Sequence, residues 1–498
     1  MVLRKTVLVA LLACLGLGSL VYAGDAAPDL KAVLARVQAL EEKNKQLEDK
    51  LKAAQAVAPA SANVDKAVAS SAATMSAVIT TADPKCRPLT IGGYLDATYS
   101  YNFNRPTEQN NNQRVFDNDS NGFNLHLAEL TFSRLPTDPG QAGFRIDTAF
   151  GTDPRVFAAQ DTSSTPGARA NQFEVVDLKQ AYMEYIIGVG CNGGITVDMG
   201  KFVTWQGAEV IEASDNINAS RSFLFGDAIP FTHTGIRATY TPWKDKFTCG
   251  LGIANANDFI QNPMNEPTGM FTFTYTPLKW LSWTVSGSVG NSLFIDERQR
   301  FADATAAATF ANPNAPGDDP TDPNTPGAKS TVTGKKFDPS NGNSPRGILD
   351  TVITFSGMPG PFEKFTFVLN GDYASESNAP NELPGVTTTP RSRQWYGGAA
   401  YVKYQINPRW YIAGRYEAFN DPQGVRTGFA QVLQEGTITA DWMLSDPLHI
   451  RFEYRHDMSN INAFGTQRDI NSVDFATQAH PFDRRYQDTF MMQWLYKF

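Results

Sequence analysis

The chain has 498 residues, 42% of them hydrophobic and 19% charged, and 51 acidic against 43 basic side chains give a formal net charge of -8. That acidity excludes a nucleic-acid binder, which needs a basic footprint. Past the first two dozen residues no run of about 18 apolar residues occurs, which excludes helical membrane spans but not a barrel, since half of each barrel strand is polar.

The first element is a predicted export signal over residues 1–23. Arg4 and Lys5 precede an apolar run from Val7 to Val21, and Val21-Tyr22-Ala23 is a small-residue cleavage site before Gly24. Leu11-Leu12-Ala13-Cys14 faintly resembles a lipoprotein site, but Leu12 is a poor residue there and the apolar run continues past Cys14. Residues 24–55 are predicted to hold a periplasmic α-helical coiled coil. Leu30, Val33, Val37, Leu40, Asn44, Leu47, Leu51 and Ala54 step by three and four, as core positions of a heptad do. Asn44 at a core position sets register between chains, and Arg36 would face Glu41, and Lys43 face Glu48, of a neighbouring copy. The expectation is a homo-oligomer, a trimer first, with a single helix on the barrel rim as the alternative. Residues 56–85, rich in Ala, Ser, Val and Thr, form a predicted flexible linker.

From residue 86 onward an outer-membrane β-barrel is predicted. In the first strand Ile91, Gly93, Leu95, Ala97, Tyr99, Tyr101 and Phe103 take one face, and Thr90, Gly92, Tyr94, Asp96, Thr98, Ser100 and Asn102 the other. About sixteen such segments are predicted: 89–103, 122–134, 142–151, 173–187, 194–202, 233–241, 246–255, 269–276, 280–290, 346–355, 363–374, 393–406, 409–419, 432–444, 447–457 and 486–498. Every second connection is short, as at Pro242–Asp245, Asn407-Pro408 and Ser445-Asp446, while the others are long and rich in Asn, Asp, Pro and Gly. Short turns alternating with long loops are what a transmembrane antiparallel barrel shows, and an even strand number returns both ends to the periplasm. Sixteen strands enclose a bore too wide for side chains to fill, hence a water channel. The last strand alternates Phe490, Met492, Trp494, Tyr496 and Phe498 against Thr489, Met491, Gln493, Leu495 and Lys497. Its apolar face would meet outer-membrane lipid and its polar face water. It should pair with the first strand, and Phe498 is the expected signal to the barrel-assembly machinery.

Three cysteines follow the signal (Cys86, Cys191 and Cys249) and match no metal spacing. They are read as structural, with at least one thiol unpaired or bridging chains.

Gly93-Tyr94-Leu95-Asp96, Asn124-Leu125-His126-Leu127-Ala128-Glu129-Leu130, Gly143-Phe144-Arg145-Ile146-Asp147 and Gln180-Ala181-Tyr182 stand at strand positions. With Ser220-Arg221-Ser222, Pro230 and Thr234-Gly235-Ile236-Arg237, this chain resembles the outer-membrane β-barrel porins of the OmpL-like type. The likeness spans about residues 89–498. It implies passive diffusion of small hydrophilic solutes and names none.

Selectivity in a channel resides at its narrowest point. The third long loop, 203–232, is apolar for an exposed loop (Trp205, Val210, Ile211, Phe223, Leu224, Phe225, Ile229, Phe231) and is expected to fold into the bore. Its Glu209, Glu212, Asp215, Arg221 and Asp227 are the expected constriction. Packing on the outer loops or at a subunit contact is the alternative. Strand parity adds Arg145, Asp147, Arg415, Glu417, Arg451, Glu453 and Arg455 as pore lining, with Asp457 on the same face as the last three, and Lys179 only if its strand is bulged. Acids on the loop facing wall arginines would set a transverse field, with mild cation preference from Glu209, Glu212 and Asp215. A self-neutralising polar lining is the bland alternative.

No enzyme is expected. His126, His233, His449, His456 and His480 show no metal spacing and no nucleophile motif. His449 with Glu453 on one inward face is the nearest thing to a site. Asp318, Asp319 and Asp322 read as a loop rather than a calcium site, and no cofactor is expected. The competing functional class is a structural or adhesive protein that tethers the envelope through the coil.

Overall fold

The computed structural model describes residues 77–79, 88–107, 109–158, 176–189, 194–243, 246–262, 266–291, 345–379, 391–466 and 482–498. The signal segment, the 24–55 coil with Asn44, most of the linker, Cys86, Cys191, His480 and the acidic cluster at 318–322 lie outside the described residues.

Seventeen strands form one sheet. A short β1 (Ala77–Ile79) falls within the segment expected as linker. The first half of the barrel is β2 (Leu89–Asn102), β3 (Gly122–Arg134), β4 (Ala142–Phe150), β5 (Val176–Gly188), β6 (Gly194–Val203), β7 (Thr232–Trp243), β8 (Phe247–Asn257) and β9 (Thr268–Leu278). The second half is β10 (Leu281–Asn291), β11 (Pro345–Ser356), β12 (Phe365–Ala379), β13 (Arg391–Asn407), β14 (Trp410–Asp421), β15 (Gln431–Ser445), β16 (Leu448–Ser459) and β17 (Tyr486–Lys497). Each of β2 to β17 pairs antiparallel with its sequence neighbour, and β17 pairs with β2 from Thr489↔Asn102 to Lys497↔Tyr94. The result is a closed sixteen-stranded barrel that leaves no free edge in that ring. β1 pairs with the start of β2, Ala77↔Ile91 to Ile79↔Leu89, where β17 has already ended.

Alternation decides which way each side chain points. Phe123 is 82% exposed and Leu251 71%, on the outer face, where lipid replaces water as the apolar solvent. On β17 Gln487, Thr489, Met491, Gln493 and Leu495 point inward and are buried, while Phe490 and Tyr496 point out. Two of the register shifts between strands bear on the lumen. Asp96↔Leu127 is followed by Ala97↔Leu125, so His126 is an extra residue in β3. Asp147↔Gln180 is followed by Thr148↔Leu178, so Lys179 is an extra residue in β5. A bulge of this kind turns two successive side chains to one face, and both His126 and Lys179 are buried inside the barrel. Cys249, on β8, is unpaired.

The seam ends on two backbone hydrogen bonds, Gly93 N–H to Phe498 O and Phe498 N–H to Gly93 O, each 3.0 Å. The Phe498 ring lies against Gly93, where a Cβ would come within 2.9 Å of the ring and 2.1 Å of the Glu129 carbonyl oxygen. Deleting Phe498 removes both bonds, about 1 kcal/mol each, together with that ring contact. The expected outcome is a reduced folded, heat-modifiable fraction on gels, with unchanged conductance from the barrels that do form.

Candidate functional site: a loop clamped inside the barrel

Residues 204–231, between β6 and β7, turn back into the lumen through two short helical turns, Ala213–Asp215 and Leu224–Ala228. Phe223, Leu224, Phe225, Ile229 and Phe231 are buried in one cluster with Phe116 of the 103–121 loop and the wall residues Trp395, Phe419 and Leu433. The wall is cut away to receive the loop. Trp205 occupies the space over Gly250, where a Cβ would meet its ring at 2.9 Å, and Leu224 does the same over Gly397 at 2.9 Å.

Irregular backbone in this position has lost water and has no ladder of its own, so its N–H and C=O groups need partners. The wall supplies them with charged side chains. The Glu417 carboxylate accepts the N–H groups of Phe223 (2.5 Å) and Leu224 (3.1 Å), the free amides that open the second helical turn. Glu453 accepts those of Ala219 (2.7 Å) and Ser220 (3.0 Å). Arg415 donates to Ser220 O (2.7 Å), Arg451 to Ala213 O (2.8 Å) and Arg455 to Arg221 O (2.5 Å). Trp395 donates its indole N–H to Ala228 O at 3.0 Å.

The residues singled out from sequence therefore converge, in closer contact than a field across water requires. Glu209 pairs with Arg415 at 2.7 Å and accepts the Ser222 N–H and hydroxyl. Glu212 pairs with Lys179. Asp215 reaches Lys497 at 2.8 Å, and its side chain stays 53% exposed. Arg221 is buried over the Phe116 ring, donating to Ile211 O and to Ala219 O (3.1 Å). Asp227 is buried, and its carbonyl accepts from Arg426. Asp147, Arg415, Glu417, Arg451, Glu453 and Arg455 all point inward and are buried. Arg145, paired with Asp147 at 2.9 Å, keeps its side chain partly exposed. His449 and Glu453 are not brought together: His449 bonds Asp441 at 2.9 Å, and Glu453 is committed to the loop.

Sequence reading missed the loop at 103–121. Arg114 crosses to Asp457 at 2.7 Å, and Asp117 accepts the Arg221 backbone N–H at 3.0 Å. Arg105, Gln109, Gln113, Asp117 and Asn121 all take positive φ, uncommon for such residues. The available signal was the run of Asn and Asp from Asn110 to Asn121, the residue types that tolerate αL best.

Lys179 is the hub of the far side. Its ammonium lies 2.5 Å from Glu129, 3.8 Å from Asp147 and against Glu212. These three carboxylates lie within 4.8 Å of one another, close enough to hold a metal ion, but Lys179 already supplies the cation there. Thr98, His126 and Asp153 form a relay, with His126 Nε2 2.9 Å from Thr98 Oγ1 and Nδ1 2.9 Å from Asp153 Oδ1. The spacing is that of a hydrolase triad. Thr98, however, is only 1% exposed, so the relay ties the chain after β4 to the wall rather than presenting a nucleophile.

Burial would push the Asp117 carboxyl up, but the Arg221 guanidinium, the His126 ring and the Arg221 N–H hold it below the usual carboxylate range. Burial likewise opposes Glu212, and the Lys179 ammonium wins and holds it low. Both groups are lowered on folding, so their stabilisation is complete above about pH 4, the unfolded carboxylate range, and is lost as pH falls through the lower folded values. Hydrogen exchange across residues 209–223, corrected for intrinsic rate, is expected to stay flat from about pH 5 to 8 and to accelerate below about pH 4. Lys179→Met leaves three buried carboxylates without their cation. It should cost on the order of 3–5 kcal/mol in urea unfolding, whereas Glu212→Gln, which leaves two, should cost less.

A closed sixteen-stranded barrel, apolar outside and holding its own loop inside, defines an outer-membrane-type β-barrel protein. Solved structures with a similar chain course are distant in sequence. An anion-selective porin from Comamonas acidovorans covers 82% of this chain and 99% of its own at 10% identity, with a TM-score of 0.47. Pseudomonas putida OprB, in a high-pH structure, covers 82% and 94% at 12% identity and 0.46. A loop-deleted OmpT, an outer membrane protein of Vibrio cholerae, covers 82% and 99% at 8% identity and 0.45. No curated relative matches. The family assignment rests on sequence: residues 88–498 match the family described as Putative beta-barrel porin-2, OmpL-like, and the chain belongs to it.

Proposed function

We propose that this protein is an outer-membrane diffusion channel for small hydrophilic solutes or ions, with the 204–231 loop as its constriction. The supporting observation is the fixing of that loop's backbone, inside the barrel, by Arg415, Glu417, Arg451, Glu453 and Arg455. Stable stepwise conductance in a planar bilayer is the expected result. The breadth of loop contacts favours one alternative. Trp205 packs on β8, Gln206 bonds Ser288 of β10 (3.3 Å), and Glu212 bonds Lys179 of β5. A sealed barrel that tethers the envelope through its coil would give a folded protein with no conductance.

The mild cation preference expected of Glu209, Glu212 and Asp215 falls unequally among them on this reading. Glu209 and Glu212 are spent on Arg415 and Lys179, and Asp215 is the exposed acid of the three. Asp215→Asn should therefore shift the reversal potential in a salt gradient away from cations. Glu209→Gln should leave it nearly unchanged while loosening the loop. The 24–55 coil, with Asn44 setting register, is proposed to hold a homotrimer in the periplasm. The detergent-solubilised mass should then fall to that of one chain when residues 24–85 are deleted.

A further inference from the structure

The loop's first leg is held on the opposite wall by different chemistry. Asp350 of β11 and Asp372 of β12 are direct register partners, and both are buried, at 0% and 5% exposure. Asp350 accepts hydrogen bonds from Ser286 Oγ (3.0 Å) and Asn370 Nδ2 (2.7 Å), and the Gly207 backbone N–H of the loop faces it. Neither Asp372 oxygen receives a donor from the described residues, and Asp372 lies within hydrogen-bond reach of the Asp350 carboxylate.

Among the described residues no basic group offsets the two charges. From β14 the facing charge is Glu417, itself committed to the Phe223 and Leu224 amides. From β13 the residue opposite Asp372 is Gly397, covered by Leu224. From β10 it is the neutral Ser286. Farther along the same two strands, Arg346 is spent on Glu376 at 3.0 Å. Two buried carboxylates side by side, with a third nearby, cannot all remain ionised without taking up positive charge. A hard metal ion wants about six oxygen ligands, whereas the groups around Asp350 point hydrogens at it. One proton on Asp372, donated to Asp350, satisfies both side chains at once.

We infer that Asp350 and Asp372 form a proton-sharing carboxyl pair that latches the Trp205–Gly207 leg of the loop to the β10–β12 wall. As pH rises the proton leaves Asp372 to water, and two like charges then face each other beneath an apolar loop. Water entry relieves them and loosens the leg at Gly207, leaving it the Gln206–Ser288 bond and the packing of Trp205 over Gly250, beneath Arg237 and against Phe202, Ala254 and Met270. The consequence for passage rests on the proposed reading of the loop as a constriction, while the proton itself does not.

Two readouts keep the claims separate. Infrared difference spectra of the folded wild type at neutral pH should show a protonated carboxyl band that bleaches on alkalinisation and is missing in Asp372→Asn. Absence of that difference, or a stoichiometric metal ion that Asp372→Asn loses, overturns the pair. In bilayers, wild-type open probability should rise several-fold as the pH is raised until the carboxyl band bleaches, and Asp372→Asn, whose amide donates permanently to Asp350, should lose that response. A band without a pH response overturns the latch but leaves the shared proton standing. The band with no conductance at any pH overturns the channel reading instead. Asp350→Asn serves as the second variant if Asp372→Asn fails to fold, with the same loss of band expected.

Discussion

An irregular chain segment held at membrane depth inside a barrel has to find a partner for every buried N–H and C=O. The loop between β6 and β7 cannot meet that demand alone, because its two helical turns are too short to pair most of their own groups. Charged side chains of the wall meet it instead. Carboxylates take the amides and guanidiniums take the carbonyls, the stronger class of hydrogen bond. The charges on the inward faces of β14 and β16 are therefore spent on the loop.

That demand explains the pairing of opposite charges on the wall. A lone buried arginine would be costly, so each arginine clamp has its own counter-charge: Arg415 with Glu435 at 2.5 Å, Arg451 with Asp441 at 2.6 Å and Arg455 with Asp457 at 2.6 Å. The loop adds Glu209 to the first of these. On the other side the bulge at Lys179 brings one ammonium to three carboxylates, while Arg114 ties a second loop to Asp457 of the wall and Asp117 ties it to the first loop. At Asp350 and Asp372 the described residues supply no base, and there the proposed shared proton takes the place of one.

If the lumen conducts as proposed, the path runs past the loop, and among the described residues few charges are left to a solute. Arg145 keeps an exposed face, and so do Asp215 and Lys497. Loop position and bore width thus count for more than a strong field, as in a channel that sorts by size and weakly by charge.

Alternation with period two is a local property, so the sixteen strands, the inward set on β16 and the outward aromatic set on β17 could be read directly from the chain. The apolar content of residues 203–232 likewise showed that this loop needed cover. What it packs against was not legible. Phe223 and Glu417 are 194 residues apart, Arg114 and Asp457 are 343 apart, and no local pattern links them. Lys179 shows why parity alone falls short: one extra residue flips the face of everything beyond it, and only the pairing of β4 with β5 reveals where that residue lies. By itself the sequence determined the barrel, its strand faces and the loop that had to be buried, because those follow from local periodicity and composition. The tertiary structure alone decided that the wall charges hold the loop and that Asp350 meets Asp372, because both depend on register and closure between distant segments.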